Sequence, residues 1–233
     1  MTPLLELETI AWRQGAREVL RSVTFSVQAG ELLAIGAGAD AGKSTLAQII
    51  IGAREPSAGT VRFDGEPPRS QLGQPGGLQL ARITFLPALG RTSLEQVAAP
   101  RSGVVSARRA RDEAGEALRL TNATRLADQR PVDLHHDDRV RVGIAQAVMT
   151  RPRLLVLDEP LRGAEPSNRD ELLMLLRLLR DRHAMTIVMT TSSIKGLGGW
   201  RIEDLADGVL EARAAAARAG GEVVHLPRRG TGS

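Results

Sequence analysis

Short apolar runs alternate with longer amphipathic segments along most of this chain. The short runs predict strands at residues 4–12, 23–27, 32–35, 60–63, 82–86, 154–157 and 185–190. Apolar residues recurring every three or four positions predict helices at residues 43–51, 106–121, 138–149 and 166–182. A Pro/Gly-rich stretch at 67–77 predicts a surface loop, and residues 222–226 predict a last edge strand. Strands that alternate with helices favour an α/β fold with a mostly parallel, doubly wound sheet.

Two carboxylates directly follow the apolar run at 154–157. They are Asp158 and Glu159, and Pro160 comes next. In open α/β sheets, ligands bind at the carboxyl ends of the strands. An Asp at such an end can hold Mg²⁺, and a Glu beside it can orient or deprotonate an attacking water. The pattern therefore predicts nucleotide hydrolysis.

A glycine-rich loop lies between the predicted strand at 32–35 and the first predicted helix. Its sequence is Gly36-Ala-Gly-Ala-Asp-Ala-Gly-Lys-Ser-Thr45. Backbone N–H groups of such a loop, together with the helix N-terminus, bind phosphates. Lys43 is expected to reach the β- and γ-phosphates, and the Ser44 hydroxyl to ligate Mg²⁺.

The spacing of this loop departs from the usual phosphate loop in two ways. The motif G-x-x-x-x-G-K-[ST] requires glycine at position 37, where Ala37 stands between Gly36 and Gly38. Asp40 also puts a carboxylate within the expected phosphate cradle. We still predict nucleotide binding, because the Gly-Lys-Ser-Thr end of the loop occurs together with the carboxylates downstream.

Composition narrows the possible function classes. The 233 residues contain 42% hydrophobic residues and no cysteine, which excludes disulfides and thiolate zinc sites. The net charge of +4 is carried almost wholly by arginine, and aromatic residues make up 2%, so no base-stacking platform for nucleic acid is evident. No apolar run is long enough to span a membrane, so we expect membrane contact only through partners.

Several segments resemble the ATP-binding subunits of ABC transporters. Residues 18–31 resemble the strand region before the family's phosphate loop, 55–61 the turn after it, and 141–147 the helix that follows its signature motif. Residues 93–100 are similar to a segment of the lipoprotein-release, macrolide-export and FtsE-like branch. The resemblance implies a P-loop NTPase fold with an N-terminal antiparallel β lobe and an inserted helical lobe.

The resemblance also implies a domain organisation, a site and partners. One domain would span 1–233, with the β lobe at 1–30 and 55–70, the P-loop core at 31–54, 78–88 and 151–233, and the helical lobe at 89–150. ATP would bind to Ala37, Gly38, Ala39, Asp40, Ala41, Gly42, Lys43, Ser44 and Thr45, with Mg²⁺ on Ser44 and Asp158 and with Glu159 as the catalytic base. The expected partners are membrane permease subunits and a second ATP-binding subunit. The expected location is the cytoplasmic face of the cell membrane.

Other family positions are replaced in this chain. Family members form head-to-tail dimers in which each ATP contacts the partner's Leu-Ser-Gly-Gly-Gln signature. The aligned residues here are Leu134, His135, His136, Asp137 and Asp138. The adenine-stacking aromatic falls at Gln14, with Trp12 nearby as a candidate substitute. The Gln that the family has after the strand at 82–86 is replaced by Ala88, and its switch His is replaced by Ser192. The Asp that follows the two carboxylates in the family is replaced by Glu165.

Carboxylates at the signature position predict weak hydrolysis. Two unit charges 4 Å apart interact by about 4 kcal/mol at an effective dielectric constant of 20. Asp137 and Asp138 would therefore oppose dimer closure on a γ-phosphate unless a cation intervenes. Two other interpretations of the segment are that one of these aspartates caps the following helix, and that the His-His-Asp-Asp run binds a metal.

Four functions are compatible with these observations. The favoured one is a degenerate ATP-binding subunit that pairs with a more complete one beneath a permease. The others are a soluble ATP-binding regulator, a scaffold that does not depend on nucleotide, and a kinase of the same P-loop class. The retained Lys43, Ser44, Asp158 and Glu159 argue against a scaffold.

Overall fold

The computed structural model describes residues 2–81 and 91–213. Their strands are β1 (Leu5–Gln14), β2 (Arg17–Val27), β3 (Leu32–Gly36), β4 (Ala58–Phe63), β5 (Leu78–Ala81), β6 (Leu154–Asp158), β7 (Thr186–Thr191), β8 (Arg201–Ala206) and β9 (Val209–Ala212). Their α-helices are α1 (Lys43–Ile50), α2 (Pro68–Gln71), α3 (Ser93–Ala98), α4 (Ala107–Leu120), α5 (His136–Val148) and α6 (Pro166–His183).

The strands form two sheets within the described residues. The larger has the order β5-β6-β7-β3-β8-β9, and all its neighbours are parallel except β8 and β9. The smaller is antiparallel, with the order β2-β1-β4. The predicted fold class, a mostly parallel sheet with an antiparallel β lobe and inserted helices, is confirmed.

The central strands are buried on both faces, so their alternating side chains belong to two separate cores. Leu155 and Leu157 of β6 pack in the core that contains α3 to α6, whereas Leu154 and Val156 pack in the core that contains α1 and the antiparallel sheet. Burial on both faces explains why these strands read as continuous apolar runs in the sequence.

A helical segment lies between β5 and β6. It contains α3, α4 and α5, and its apolar side chains pack with those of α6 in one core. Helix α3 begins with a capping box, in which the Thr92 hydroxyl accepts from the Glu95 N–H at 3.3 Å and the Thr92 N–H donates to the Glu95 carboxylate at 3.1 Å.

The structure differs from the predicted elements at several places. The predicted loop at 67–77 contains the short helix α2, and α3, β8 and β9 were not predicted. Two predicted strands, at 82–86 and 222–226, lie outside the described residues, and so does Ala88. In the parts of the chain that the structure covers, no helix is both long and apolar enough to cross a bilayer.

Gly59 provides a test of the packing of the antiparallel sheet. Its φ is +89°, and an added Cβ would lie far inside van der Waals distance of the Glu8 and Thr9 carbonyl oxygens. Gly65 has a similar φ of +81° but open space around a Cβ. We expect Gly65→Ala to lower the free energy of unfolding by about 1–2 kcal/mol from backbone strain, and Gly59→Ala by more, on the order of 3 kcal/mol.

Urea unfolding followed by circular dichroism measures the free energy of unfolding of both variants. Equal losses for the two substitutions would contradict the close approach of β1 to Gly59.

Candidate functional site

The carboxyl ends of three neighbouring strands bring the predicted site residues to one edge of the large sheet. Gly36 of β3 pairs with Thr191 of β7, and Asp158 of β6 pairs with Thr190 of the same strand. The glycine-rich loop after β3, the carboxylates at the end of β6 and the residues after β7 therefore meet at this edge.

The loop tolerates Ala37 without strain. The Ala37 N–H donates to the Thr191 carbonyl at 3.0 Å, which continues the β3–β7 pairing, and its side chain is buried. Positive φ angles occur instead at Asp40 (58°) and at Gly42 (91°), which occupies the N-cap position of α1. Glycine is therefore required at 42, where a Cβ would also lie 2.8 Å from Val19, and not at 37.

Lys43 is buried and its ammonium group lies among three oxygen acceptors. It donates to the carbonyl oxygens of Ala37, at 3.0 Å, and of Gly38. It also forms an ion pair with Glu159, with 2.9 Å between Nζ and Oε1. The loop and the carboxylate strand are thus joined through one lysine.

The two carboxylates are held by residues of β7 and the segment after it. Asp158 Oδ1 accepts from the Thr190 hydroxyl at 2.7 Å, and the same hydroxyl accepts from the Glu159 N–H at 3.1 Å. Glu159 has a φ of 51°, and its Oε2 accepts from the N–H and the hydroxyl of Ser192 at 3.1 and 3.2 Å. Thr190, a residue that the sequence did not single out, thus orients the Asp158 carboxylate and the Glu159 backbone.

A cleft of about 490 Å³ opens over the loop. Its lining combines loop residues with Glu159 and Ser192 and with other polar side chains, namely Gln14, Arg17 and Arg162. Arg17 also donates to the Asp40 carbonyl at 3.3 Å. Trp12 is not part of the lining, and the Arg54 guanidinium covers its ring at 4.5 Å. The hypothesis that Trp12 provides a base-stacking surface is therefore not supported.

The chemistry of the groups at this edge suits Mg²⁺. Carboxylate and hydroxyl oxygens are the ligands that this cation takes in proteins. Asp158 is oriented by Thr190, and Ser44 is exposed in the first turn of α1, on the cleft lining.

The segment at 134–138 forms the start of α5. His135 occupies the N-cap position without a side-chain capping bond, and Asp137 and Asp138 lie in the first turn. The prediction that either aspartate caps the helix is wrong, because both carboxylates have partners elsewhere. Asp137 accepts from the Asn168 amide of α6 at 2.7 Å, and Asp138 accepts from both guanidinium NH₂ groups of Arg125, at 2.6 and 3.3 Å.

The same contacts bear on the metal-binding interpretation of this segment. Within residues 2–81 and 91–213, no three His, Asp or Glu side chains are arranged to hold a metal ion. The hydrogen bond that Arg125 donates to Asp138 raises the pKa of Arg125 above its ordinary value, which keeps a full positive charge beside this carboxylate.

Comparison with known proteins defines the family. The ABC transporter family model matches residues 20–162, which include the glycine-rich loop, the 134–138 segment and both carboxylates. The chain belongs to the ABC transporter ATP-binding family.

Relatives within the ABC family include ATP-binding proteins of an import system and of a lipoprotein-releasing system. The chain is 32% identical over 178 residues to the aliphatic sulfonates import ATP-binding protein SsuB 2 of Agrobacterium fabrum, covering 76% of the chain and 66% of the relative. It is also 32% identical over 197 residues to the lipoprotein-releasing system ATP-binding protein LolD of Bacteroides thetaiotaomicron, covering 81% and 89%. The equal identities do not favour the lipoprotein-release branch.

The chain spans between 29% and 66% of the length of three curated relatives that it matches.

Among solved structures, the ATP-binding cassette MJ0796, determined as a dimer bound to ADP and phosphate, superposes with a TM-score of 0.77. The identity is 25%, covering 89% of this chain and 98% of that one. An ABC cassette dimer with nucleotide is therefore a relevant comparison for the site.

The bridging role of Thr190 is testable with a matched control on the same strand. Thr190 and Thr186 are both buried on β7, and the Thr186 hydroxyl accepts from the Gly30 N–H at 2.9 Å, away from the carboxylates. We expect Thr190→Val and Thr186→Val each to destabilise the protein by about 1 kcal/mol, because each removes a hydrogen bond to a partly buried partner.

Only Thr190→Val should also weaken the Mg²⁺-dependent part of nucleotide binding, measured by calorimetry with and without the cation. The assignment of Thr190 to the site is contradicted if the two variants bind nucleotide equally well.

Proposed function

We propose that this chain binds Mg-ATP at the cleft over residues 37–45. The observation that carries the proposal is the convergence of Lys43, Ser44, Asp158 and Glu159 at one sheet edge. Backbone N–H groups of the loop and the N-terminus of α1 would hold the phosphates. Ser44 and Asp158 would hold Mg²⁺, which neutralises phosphate charge when bound. Glu159 is the residue that would orient or deprotonate the attacking water.

The two lysines of the chain offer a direct test of the nucleotide site. Lys43 lies in the cleft, whereas Lys195 is exposed and outside the lining. We expect Lys43→Ala to abolish ATP binding in a calorimetric assay and Lys195→Ala to leave it unchanged. Unchanged binding by Lys43→Ala would favour the nucleotide-independent scaffold.

We further propose that this chain alone hydrolyses ATP slowly. In a head-to-tail dimer of two copies, both sites would contact residues 134–138 of the other copy. His136 and Asp137 stand where glycines allow close backbone approach, and Ser192 stands where the family has its switch His. Arg125 compensates Asp138, so the loss of close approach is a stronger argument for slow turnover than charge repulsion.

These features support pairing with a second, more complete ATP-binding subunit beneath a permease. There, Lys43, Ser44, Asp158 and Glu159 would contact an intact signature on the other subunit. The resulting assembly would lie at the cytoplasmic face of the membrane. The alternative is a soluble ABC-type regulator or adaptor that is not involved in transport, and the proteins that co-purify with the untagged chain from membranes distinguish the two.

Restoring the family signature tests the origin of slow turnover. We expect low ATPase activity from the purified chain, and higher activity when His135→Ser, His136→Gly, Asp137→Gly and Asp138→Gln are combined. The same combination with Lys43→Ala should be inactive, which controls for a contaminating ATPase. Brisk turnover by the unaltered chain, measured as phosphate release, would contradict the need for a second subunit.

A further inference from the structure

The donors of Lys43 are fully used by the chain itself. A protonated lysine has three N–H donors. Here the ammonium contacts the carbonyl oxygens of Ala37 and Gly38 and the Glu159 carboxylate. A phosphate oxygen that binds Lys43 must therefore replace one of these acceptors. The two carbonyls belong to the loop that surrounds the lysine, whereas Glu159 directly follows β6, which is separated from β3 by β7 in the sheet. The Glu159 side chain is therefore the acceptor that can move away most easily.

Ser192 determines where the Glu159 carboxylate points. Its N–H and its hydroxyl both donate to Oε2, at 3.1 and 3.2 Å, which leaves Oε1 directed at Lys43. Ser192 is itself on a fixed segment. Arg169 of α6 donates to the carbonyl oxygens of Ser193, at 2.9 Å, and of Lys195.

We propose that the Glu159 carboxylate occupies the position on Lys43 that a phosphate oxygen would take, and we call this contact the latch. Ser192 is the positioning residue that holds the carboxylate there. The proposal rests on the nucleotide site proposed above. Bound phosphate would take the place of Oε1 on Lys43 and repel the Glu159 carboxylate. The Glu159 side chain would then be released from the lysine, which would leave it free to orient or deprotonate the attacking water.

A latch of this kind lowers the apparent affinity for nucleotide. When only a fraction of molecules is open, the apparent dissociation constant is the intrinsic one divided by that fraction. Changes that weaken the latch should thus tighten binding, which is the opposite of what general damage to the site would do.

ADP is the suitable probe for this effect. It is not hydrolysed, so its affinity does not include the chemical step. It also lacks the γ-phosphate, so a direct contact between Ser192 and that group does not contribute. Calorimetric titration of the full chain with ADP, with and without Mg²⁺, measures the affinity.

We expect Ser192→Ala to tighten ADP binding roughly two- to threefold and Glu159→Gln roughly three- to tenfold. The double variant should bind no tighter than Glu159→Gln alone, because both changes act on one contact. Ser193→Ala is the matched control, since only backbone atoms of this adjacent exposed serine take part in the hydrogen bonds described here. Ser192→Ala is decisive, because it keeps the charge of Glu159. Thermal unfolding of each variant confirms that it is folded.

The outcomes separate the latch from the nucleotide site. If Lys43→Ala binds ADP as well as the unaltered chain does, the proposed site is wrong. If the unaltered chain binds ADP, Lys43→Ala does not, and Ser192→Ala binds no tighter than Ser193→Ala, the latch alone is overturned.

Discussion

The pairing of Asp158 with Thr190 in the β6–β7 register is the constraint on which the site depends. It places one hydroxyl between the Asp158 carboxylate and the Glu159 N–H, and it places Ser192 beside the Glu159 carboxylate. A shift of one residue would turn Thr190 to the opposite face of the sheet and remove these bonds. The burial of both faces of β6 and β7 fixes the register, so the two cores position the chemistry at the edge.

The 134–138 segment is less repulsive in the structure than its sequence indicates. Arg125 provides the cation that the electrostatic argument for Asp138 required, and the Asn168 amide donates to Asp137. Both partners lie in the same chain, so these carboxylates contribute to the packing of α5 against its neighbours. The substitutions at this position therefore affect shape and backbone approach more than net charge.

The sequence predicts those parts of the fold that depend on local pattern. The runs at 32–35, 154–157 and 185–190 are mostly apolar and buried on both faces, and the structure has strands there within a residue. Helix α3 is too short for a periodic pattern, although its Thr92–Glu95 capping box was a usable signal. Strand β8 was missed because its sequence contains the charged residues Arg201 and Glu203. In the fold these two side chains form an ion pair, and burial raises the pKa of Glu203. Similarly, Lys43, Ser44, Asp158 and Glu159 are visible as strand-end motifs, whereas the contacts of Thr190 and Ser192 depend on register.

The proposed function requires that this chain binds Mg-ATP in a site built for hydrolysis but turns it over slowly without a second subunit. The most direct test is to incubate the purified chain with radiolabelled ATP and Mg²⁺ at saturating concentration, measure the bound nucleotide at equilibrium by ultrafiltration, and identify the labelled species over time. We expect near-stoichiometric binding, with most of the label still in ATP after many minutes. Rapid conversion to ADP with steady release of phosphate, or no bound nucleotide at saturating concentration, would contradict this.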